Sequence, residues 1–200
     1  MKHVDADPAT FAAFAVVMVC WLIFGLTFLL RLFKRAPGAP ETRRRGVSSL
    51  GIALQSVAYA LVWIVRRPPY PIVSMPYAAD IAVSTLAVVF AIGSIVLVHV
   101  ALRFLGKQWA FRARLVEEHK LVTEGPYSLV RNPIYTSMFG MLLATGLVVT
   151  RWQGFIVAII IFLIGTVIRV RSEENLLREQ FGADFDAYAR RVRAFIPGIY

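Results

Sequence analysis

The chain has 200 residues, of which 58% are hydrophobic, and it carries a formal net charge of +10. A composition this apolar excludes an ordinary water-soluble domain and is typical of an integral membrane protein. The single cysteine, Cys20, excludes an intramolecular disulfide and a cysteine-based metal cluster.

Five uncharged stretches are long enough, or nearly so, to cross a membrane as helices, which takes roughly 17–25 residues. They are residues 11–30, 47–65, 81–102, 133–150 and 152–168. Since only Arg151 interrupts the last two stretches, we predict that they form a tight helical hairpin. The sequence therefore predicts an all-α, polytopic membrane protein with five transmembrane helices.

The distribution of basic residues predicts the orientation of the chain. Eighteen of the 22 Lys and Arg residues fall within 31–45, 103–131 and 169–193. Because basic residues concentrate on the cytoplasmic side, we predict an external N-terminus and a cytoplasmic C-terminus, and the Arg- and Ala-rich composition favours a bacterial inner membrane. We attribute the positive charge to this topology and to anionic membrane lipids, and we expect no nucleic-acid partner.

The segments outside the apolar stretches differ in character. Residues 31–46 are predicted to form a flexible, lipid-facing connector. Apolar side chains recur at helical spacing near the C-terminus, at Leu177, Phe181, Phe185, Tyr188 and Val192. Gly182 interrupts this pattern, which leaves open whether one helix or two short helices form there.

Several cofactor and metal motifs are absent from the sequence. No glycines stand two residues apart, so the chain has neither a GxGxxG turn nor a Walker loop, and it has no GxSxG or HExxH motif. The three histidines, His3, His99 and His119, are widely scattered, and we expect no metal site.

Three of the charged residues that follow the last apolar stretch lie close to its edge. Arg169 and Glu173 stand four residues apart and could form an ordinary helical ion pair at a surface. However, Glu173 and Glu174 are adjacent carboxylates at the expected membrane boundary, where charged groups are costly and often functional. At least one of them should find a partner elsewhere, and Arg131 and His119 are the candidates.

A second polar segment precedes the fourth stretch. Gly125 and Pro126 predict a turn, and Pro133 predicts the first residue of a helix. Asn132 is then placed to cap that helix. The free N–H groups of its first turn are a candidate anion site.

Together these residues resemble the isoprenylcysteine carboxyl methyltransferase family, which belongs with the membrane phospholipid methyltransferases. The resemblance rests on His119-x-Leu121-Val122-Thr123-x-Gly125-Pro126-Tyr127, Val130-Arg131-Asn132-Pro133-x-Tyr135, Arg169-x-x-x-Glu173-Glu174-x-x-Leu177 and Phe181-Gly182-x-x-Phe185-x-x-Tyr188. It covers roughly residues 119–197. Residues 1–100 match only in hydropathy.

The resemblance implies S-adenosylmethionine as methyl donor, in a cytoplasmic pocket closed by the C-terminal helices. The implied cofactor-binding residues are His119, Leu121, Val122, Gly125, Tyr127, Asn132, Pro133, Tyr135 and Glu173, and the implied catalytic residues are Arg131, Arg169 and Glu174. We accordingly divide the chain into an N-terminal membrane region of three helices, residues 1–102, and a catalytic region, residues 103–200. The acceptor would be lipophilic or small, with the carboxylate of an isoprenylcysteine-like substrate favoured.

Two alternatives remain open at the level of sequence. The family usually has Arg-His-Pro where this chain has Arg131-Asn132-Pro133, and Asn cannot titrate near neutrality. A catalytically inactive membrane scaffold is therefore one alternative. The other is an NADPH-dependent membrane reductase of the sterol type, whose tail resembles Tyr188, Val192, Ile196, Pro197 and Tyr200.

Overall fold

The computed structural model describes residues 8–33, 41–44, 48–66, 77–106, 114–116 and 121–195. Six helices account for most of these residues. They are α1 (Pro8–Phe33), α2 (Ser48–Ile64), α3 (Tyr77–Leu105), α4 (Pro133–Val149), α5 (Trp152–Phe181) and α6 (Ala183–Arg191). Each of the five predicted apolar stretches forms one helix.

Three of the described helices are long and apolar enough to cross a membrane, namely those at Ala9–Arg31, Ala78–Leu105 and Trp152–Phe181. The helices α2 and α4 are apolar but shorter, with 17 residues each. The presence of membrane-spanning helices is thus supported for three of the five stretches. The five-helix topology and the orientation of the termini stay predictions.

The fifth helix is longer than its apolar stretch. The predicted span ends at residue 168, whereas α5 continues to Phe181 and carries both Glu173 and Glu174. Gly182 then breaks the helix with a φ of 50°, a conformation that favours glycine, and α6 begins at the next residue. The C-terminal apolar pattern is therefore divided between the end of α5 and the separate helix α6.

A small antiparallel sheet was not predicted. Strand β1 (Glu41–Arg44) pairs with strand β2 (Arg114–Val116). Since β1 lies within residues 31–46, the prediction of a flexible connector is wrong for these four residues. Strands of three and four residues are too short to show an alternating sequence pattern, which explains why the all-α prediction missed them.

Small residues allow α2 and α5 to pack closely. A Cβ atom added to Gly51 would lie 2.7 Å from the carbonyl oxygen of Gly165, and one added to Gly165 would lie 2.9 Å from that of Gly51. Small residues at helix crossings are typical of apolar helix packing, because they let the backbones approach each other. The α4–α5 connection consists of Thr150 and Arg151, and the Thr150 hydroxyl donates to the carbonyl of Val62 at 2.8 Å.

Candidate functional site

The segment before α4 contains the predicted turn. Gly125–Ser128 forms one turn of 3-10 helix in which Pro126 and Tyr127 are buried. Gly125 has a φ of 59°, and a Cβ atom there would lie 2.5 Å from the ring of Phe104. Both the backbone conformation and the close contact with α3 therefore require glycine at this position.

Arg131 and Glu174 form the central ion pair of the site. Arg131 donates from Nε to Glu174 Oε1 at 2.9 Å and from Nη2 to Oε2 at 3.1 Å. Arg131 Nη1 also donates to the backbone carbonyls of Ala189, at 3.0 Å, and Val192. The guanidinium thus joins the segment before α4 to α5 and to the end of α6, and the prediction that one carboxylate finds a partner at Arg131 is confirmed.

Asn132 reinforces this pair instead of capping α4. Asn132 occupies the N-cap position of α4, but its side chain makes no capping hydrogen bond. Asn132 Nδ2 donates to Ala194 O at 2.8 Å and to Glu174 Oε1 at 3.3 Å. The predicted capping role is therefore wrong, because the side chain is directed towards the Glu174 carboxylate and the C-terminal backbone.

Glu173 has a separate set of partners. Tyr135 donates its hydroxyl proton to Glu173 Oε1, and Arg169 Nη2 lies 3.7 Å from the same oxygen. The Arg169 guanidinium carbon also lies 4.8 Å from the centre of the Tyr135 ring, within the range of a cation–π contact. The two adjacent carboxylates consequently point to different partners, with Glu174 held by Arg131 and Glu173 held by Tyr135 and Arg169.

One polar residue of the site was missed by the sequence analysis. Arg169 Nη1 donates to Gln55 Oε1 at 3.1 Å, and Gln55 Nε2 donates to Thr166 Oγ1 at 2.9 Å. Gln55 lies on α2 and is only 2% exposed. A signal for it existed in the sequence, because Gln55 is the only amide side chain within residues 47–65.

The residues after α6 form hydrogen bonds with the start of α4 and the segment before it. The backbone N–H of Arg131 donates to Arg193 O at 2.8 Å, and the Thr136 hydroxyl donates to Phe195 O at 2.6 Å. Within α6, the Tyr188 hydroxyl donates to Tyr127 O at 2.6 Å. These bonds hold the C-terminal segment across the polar cluster.

The Tyr127 hydroxyl is buried and has no hydrogen-bond partner among the residues that the structure describes. Burial raises the pKa of Tyr127, and the neighbouring Tyr188 and Glu173 raise it further. The phenol therefore stays protonated near neutrality, and it can donate a hydrogen bond. A buried donor without a partner is costly, so the Tyr127 hydroxyl is a candidate contact for a ligand acceptor.

The predicted site residues are thus largely brought together. Direct contacts link six of them in two sets of three, one of Arg131, Asn132 and Glu174 and the other of Tyr135, Arg169 and Glu173. Pro133 starts α4, and Gly125 and Tyr127 lie in the preceding turn. Leu121 and Val122 are half-buried, whereas His119 lies outside the described residues.

Comparisons with known proteins place this site within a family. The sequence profile of the phospholipid methyltransferase family matches residues 82–184, which is slightly more than half of the chain. The match includes the turn, α4 and all of α5, and it reaches back into α3. It thus begins earlier than the motif residues indicate.

Three curated relatives share parts of the sequence. Protein-S-isoprenylcysteine O-methyltransferase B of Arabidopsis thaliana is 30% identical over 86 residues, which are 43% of this chain and 44% of that protein. The nickel-cobalt-cadmium resistance protein NccN of Alcaligenes xylosoxydans xylosoxydans is 36% identical over 78 residues, 39% of this chain and 36% of that protein. The cobalt-zinc-cadmium resistance protein CzcN of Cupriavidus metallidurans is 32% identical over 99 residues, 49% of this chain and 45% of that protein.

The chain spans less than half the length of each of these relatives. The profile match nevertheless covers the residues on which the resemblance was predicted, except for the last few. The predicted kinship with membrane methyltransferases is confirmed, and the chain belongs to the phospholipid methyltransferase family.

Proposed function

We propose that this chain transfers the methyl group of S-adenosylmethionine to a lipophilic or small acceptor at the cytoplasmic face of a bacterial inner membrane. The family and the isoprenylcysteine O-methyltransferase named among the relatives support methyl transfer. The three long apolar helices support a membrane setting and hence a lipophilic acceptor. Among acceptors, we favour the carboxylate of an isoprenylcysteine-like molecule.

The observation that carries this proposal is the open polar surface beside Glu173. Its side chain is 27% exposed, and within the described part of the chain only the Oε1 oxygen has partners. The unpartnered Tyr127 hydroxyl lies near enough for Glu173 to raise its pKa. An acceptor and a donor are thus both available, which fits a ligand rich in hydroxyl and amino groups.

S-adenosylmethionine, when bound, supplies an electrophilic methyl group on a positively charged sulfur. We assign its binding to Glu173 and Tyr127, together with the other implied residues His119, Leu121, Val122, Gly125, Asn132, Pro133 and Tyr135. For Asn132 we propose an indirect part, because its side chain contacts Glu174 and Ala194. The Tyr188 hydroxyl of α6 donates to the backbone carbonyl of Tyr127 and so holds α6 against the turn that carries the buried Tyr127 side chain.

The state of Glu174 favours an anionic acceptor over an amine. An amine must lose a proton before or during methyl transfer, which requires a base. Glu174 is the candidate base, but both of its oxygens already accept hydrogen bonds from Arg131. A carboxylate acceptor needs positioning and dehydration instead of a base. We assign the positioning to the positive charges of Arg131 and Arg169, which attract an anion although both guanidiniums already donate hydrogen bonds within the protein.

A test is direct transfer from S-adenosylmethionine carrying a tritiated methyl group, with protein in vesicles. A farnesylated cysteine analogue and phosphatidylethanolamine serve as the two acceptors. We expect label in the cysteine analogue, released as methanol by mild base because a methyl ester forms. Label only in the phospholipid would overturn the carboxylate assignment, and no transfer to either would favour the scaffold alternative.

The names of two relatives refer to metal resistance, but no observation supports a metal function here. Among the described residues there is no group of three or more His, Cys, Asp or Glu side chains that could hold a metal ion. We therefore propose no second activity.

A further inference from the structure

We infer that Gln55 of α2 is a positioning residue, which fixes the Arg169 guanidinium so that Arg169 and Tyr135 hold Glu173 for the methyl donor. This inference rests on the proposed function, because it assigns Glu173 to that ligand. It concerns a residue outside the family match, which begins at residue 82. It therefore gives the N-terminal helices a part in the site beyond membrane anchoring.

The Gln55 amide can adopt only one orientation. An arginine side chain has hydrogen-bond donors and no acceptor, so Gln55 must turn its oxygen towards Arg169. Its nitrogen then faces the Thr166 hydroxyl, at 2.9 Å. Thr166 and Arg169 are three residues apart and share one face of α5, so a single amide joins two consecutive positions of that face.

The backbone of α2 also shapes the position of Arg169. Gly51 precedes Gln55 by four residues and lies on the same face of α2. A Cβ atom at Gly51 would lie 2.4 Å from Arg169 Cγ, so the aliphatic part of Arg169 occupies the space that a larger residue would fill. Gly51 thus accommodates the stem of the side chain, while Gln55 orients its charged end.

The position of Arg169 in turn determines the surroundings of Glu173. The Arg169 guanidinium contacts the Tyr135 ring and lies 3.7 Å from Glu173 Oε1, while Tyr135 donates to the same oxygen. This arrangement leaves Glu173 Oε2 open. In an apolar setting an oriented hydrogen bond to a charged group is worth more than one in water, so the loss of the Gln55 acceptor should let Arg169 turn away.

The experiment compares the affinity of Gln55 variants for S-adenosylhomocysteine, measured by calorimetric titration of the full chain in detergent. Gln55→Leu removes both hydrogen bonds, and Gln55→Glu keeps an acceptor for Arg169. Thr166→Val removes only the second partner of the amide. Ser56→Ala is the matched control, because Ser56 is exposed and, among the residues that the structure describes, its hydroxyl bonds only to Ile52 of its own helix.

We expect Gln55→Leu to weaken binding at least about tenfold, the size expected for losing a hydrogen bond to a charged group. The affinity for S-adenosylhomocysteine should stay within about threefold of the wild-type value in Gln55→Glu, Thr166→Val and Ser56→Ala. Rescue by glutamate is the readout that a purely structural role would not give. The inference is overturned if Gln55→Leu binds as wild type does, or if Gln55→Glu and Thr166→Val lose as much affinity as Gln55→Leu.

If Gln55→Leu does not fold, Gln55→Asn is the variant that tests the inference. It keeps a buried amide but withdraws it from Arg169 by one methylene group. Weaker binding by Gln55→Asn than by Thr166→Val supports the inference, and equal binding overturns it. Failure of the wild type itself to bind would instead overturn the proposed function and this inference with it. The two failures are thereby distinguished.

Discussion

Arg131 and Glu174 are joined by two parallel hydrogen bonds, of 2.9 and 3.1 Å, although 43 residues separate them in the chain. Each side chain is 13% exposed. This pair connects the segment before α4 to α5, and the third nitrogen of Arg131 donates to Ala189 O near the end of α6. The geometry around Glu174 therefore depends on this one guanidinium.

Removing that guanidinium should destabilise the protein strongly. We expect Arg131→Ala to lower the free energy of unfolding by about 3 kcal/mol, because it leaves a largely buried carboxylate without its cation and with only the long hydrogen bond from Asn132, and removes the donor to two carbonyls. The matched control is Arg178→Ala, since Arg178 pairs with Asp186 at 2.8 Å but both side chains are 46% exposed. An exposed pair contributes about 0–1 kcal/mol. Equal losses in denaturant unfolding of the two variants would contradict the central role of Arg131.

Glu173 should affect ligand binding more than stability. We expect Glu173→Gln to weaken the affinity for S-adenosylhomocysteine about tenfold, since a hydrogen bond to a charged acceptor becomes one to a neutral acceptor. The free energy of unfolding should change less in Glu173→Gln than in Glu174→Gln, because within the described part of the chain Glu174 accepts three hydrogen bonds whereas Glu173 accepts one, from Tyr135. Calorimetric titration and thermal unfolding of both variants measure the difference. A larger loss of affinity in Glu174→Gln than in Glu173→Gln would show that Glu174, and not Glu173, is the ligand-binding carboxylate.

Glu174→Gln should reduce turnover at least tenfold, through the Arg131 contacts on which the site depends. Arg131 would keep one good acceptor, but the ion pair would be lost. Methyl transfer at saturating donor concentration is the measurement, with Asp186→Asn as a control for loss of an exposed carboxylate. Unchanged turnover in Glu174→Gln would remove Glu174 from the mechanism.

Tyr127→Phe separates the ligand-binding contribution of a side chain from its structural contribution. Without ligand, the variant should be as stable as the wild type or slightly more stable, because the deleted hydroxyl is buried without a partner in the described chain. With S-adenosylhomocysteine, the rise in melting temperature should be smaller than in the wild type. An undiminished rise would show that the Tyr127 hydroxyl does not contact the ligand.

Most of the polar site was predictable from the sequence because charged groups near a membrane must find partners. Adjacent helical residues point about 100° apart, so Glu173 and Glu174 could not share one partner, and Arg131 was a nearby cation. Gln55 was not predicted, since a single amide in an apolar helix gives no indication of which helix it faces. The side-chain direction of Asn132 was also wrong, because capping is a local preference and the contacts with Glu174 and Ala194 are tertiary.

The continuation of α5 beyond residue 168 was not predicted, for a related reason. Hydropathy shows where an apolar stretch ends. A helix ends where its backbone leaves the helical conformation, and in α5 this happens at Gly182. The helix therefore carries Glu173 and Glu174 beyond the apolar stretch without a break. This continuity lets a rigid element present both carboxylates to α4.

The most direct measurement is calorimetric titration of S-adenosylhomocysteine into the purified wild-type protein, with NADPH titrated in parallel. The account predicts saturable binding of S-adenosylhomocysteine alone, weakened by Glu173→Gln. Binding of NADPH alone would contradict it and would support the reductase alternative based on the C-terminal tail.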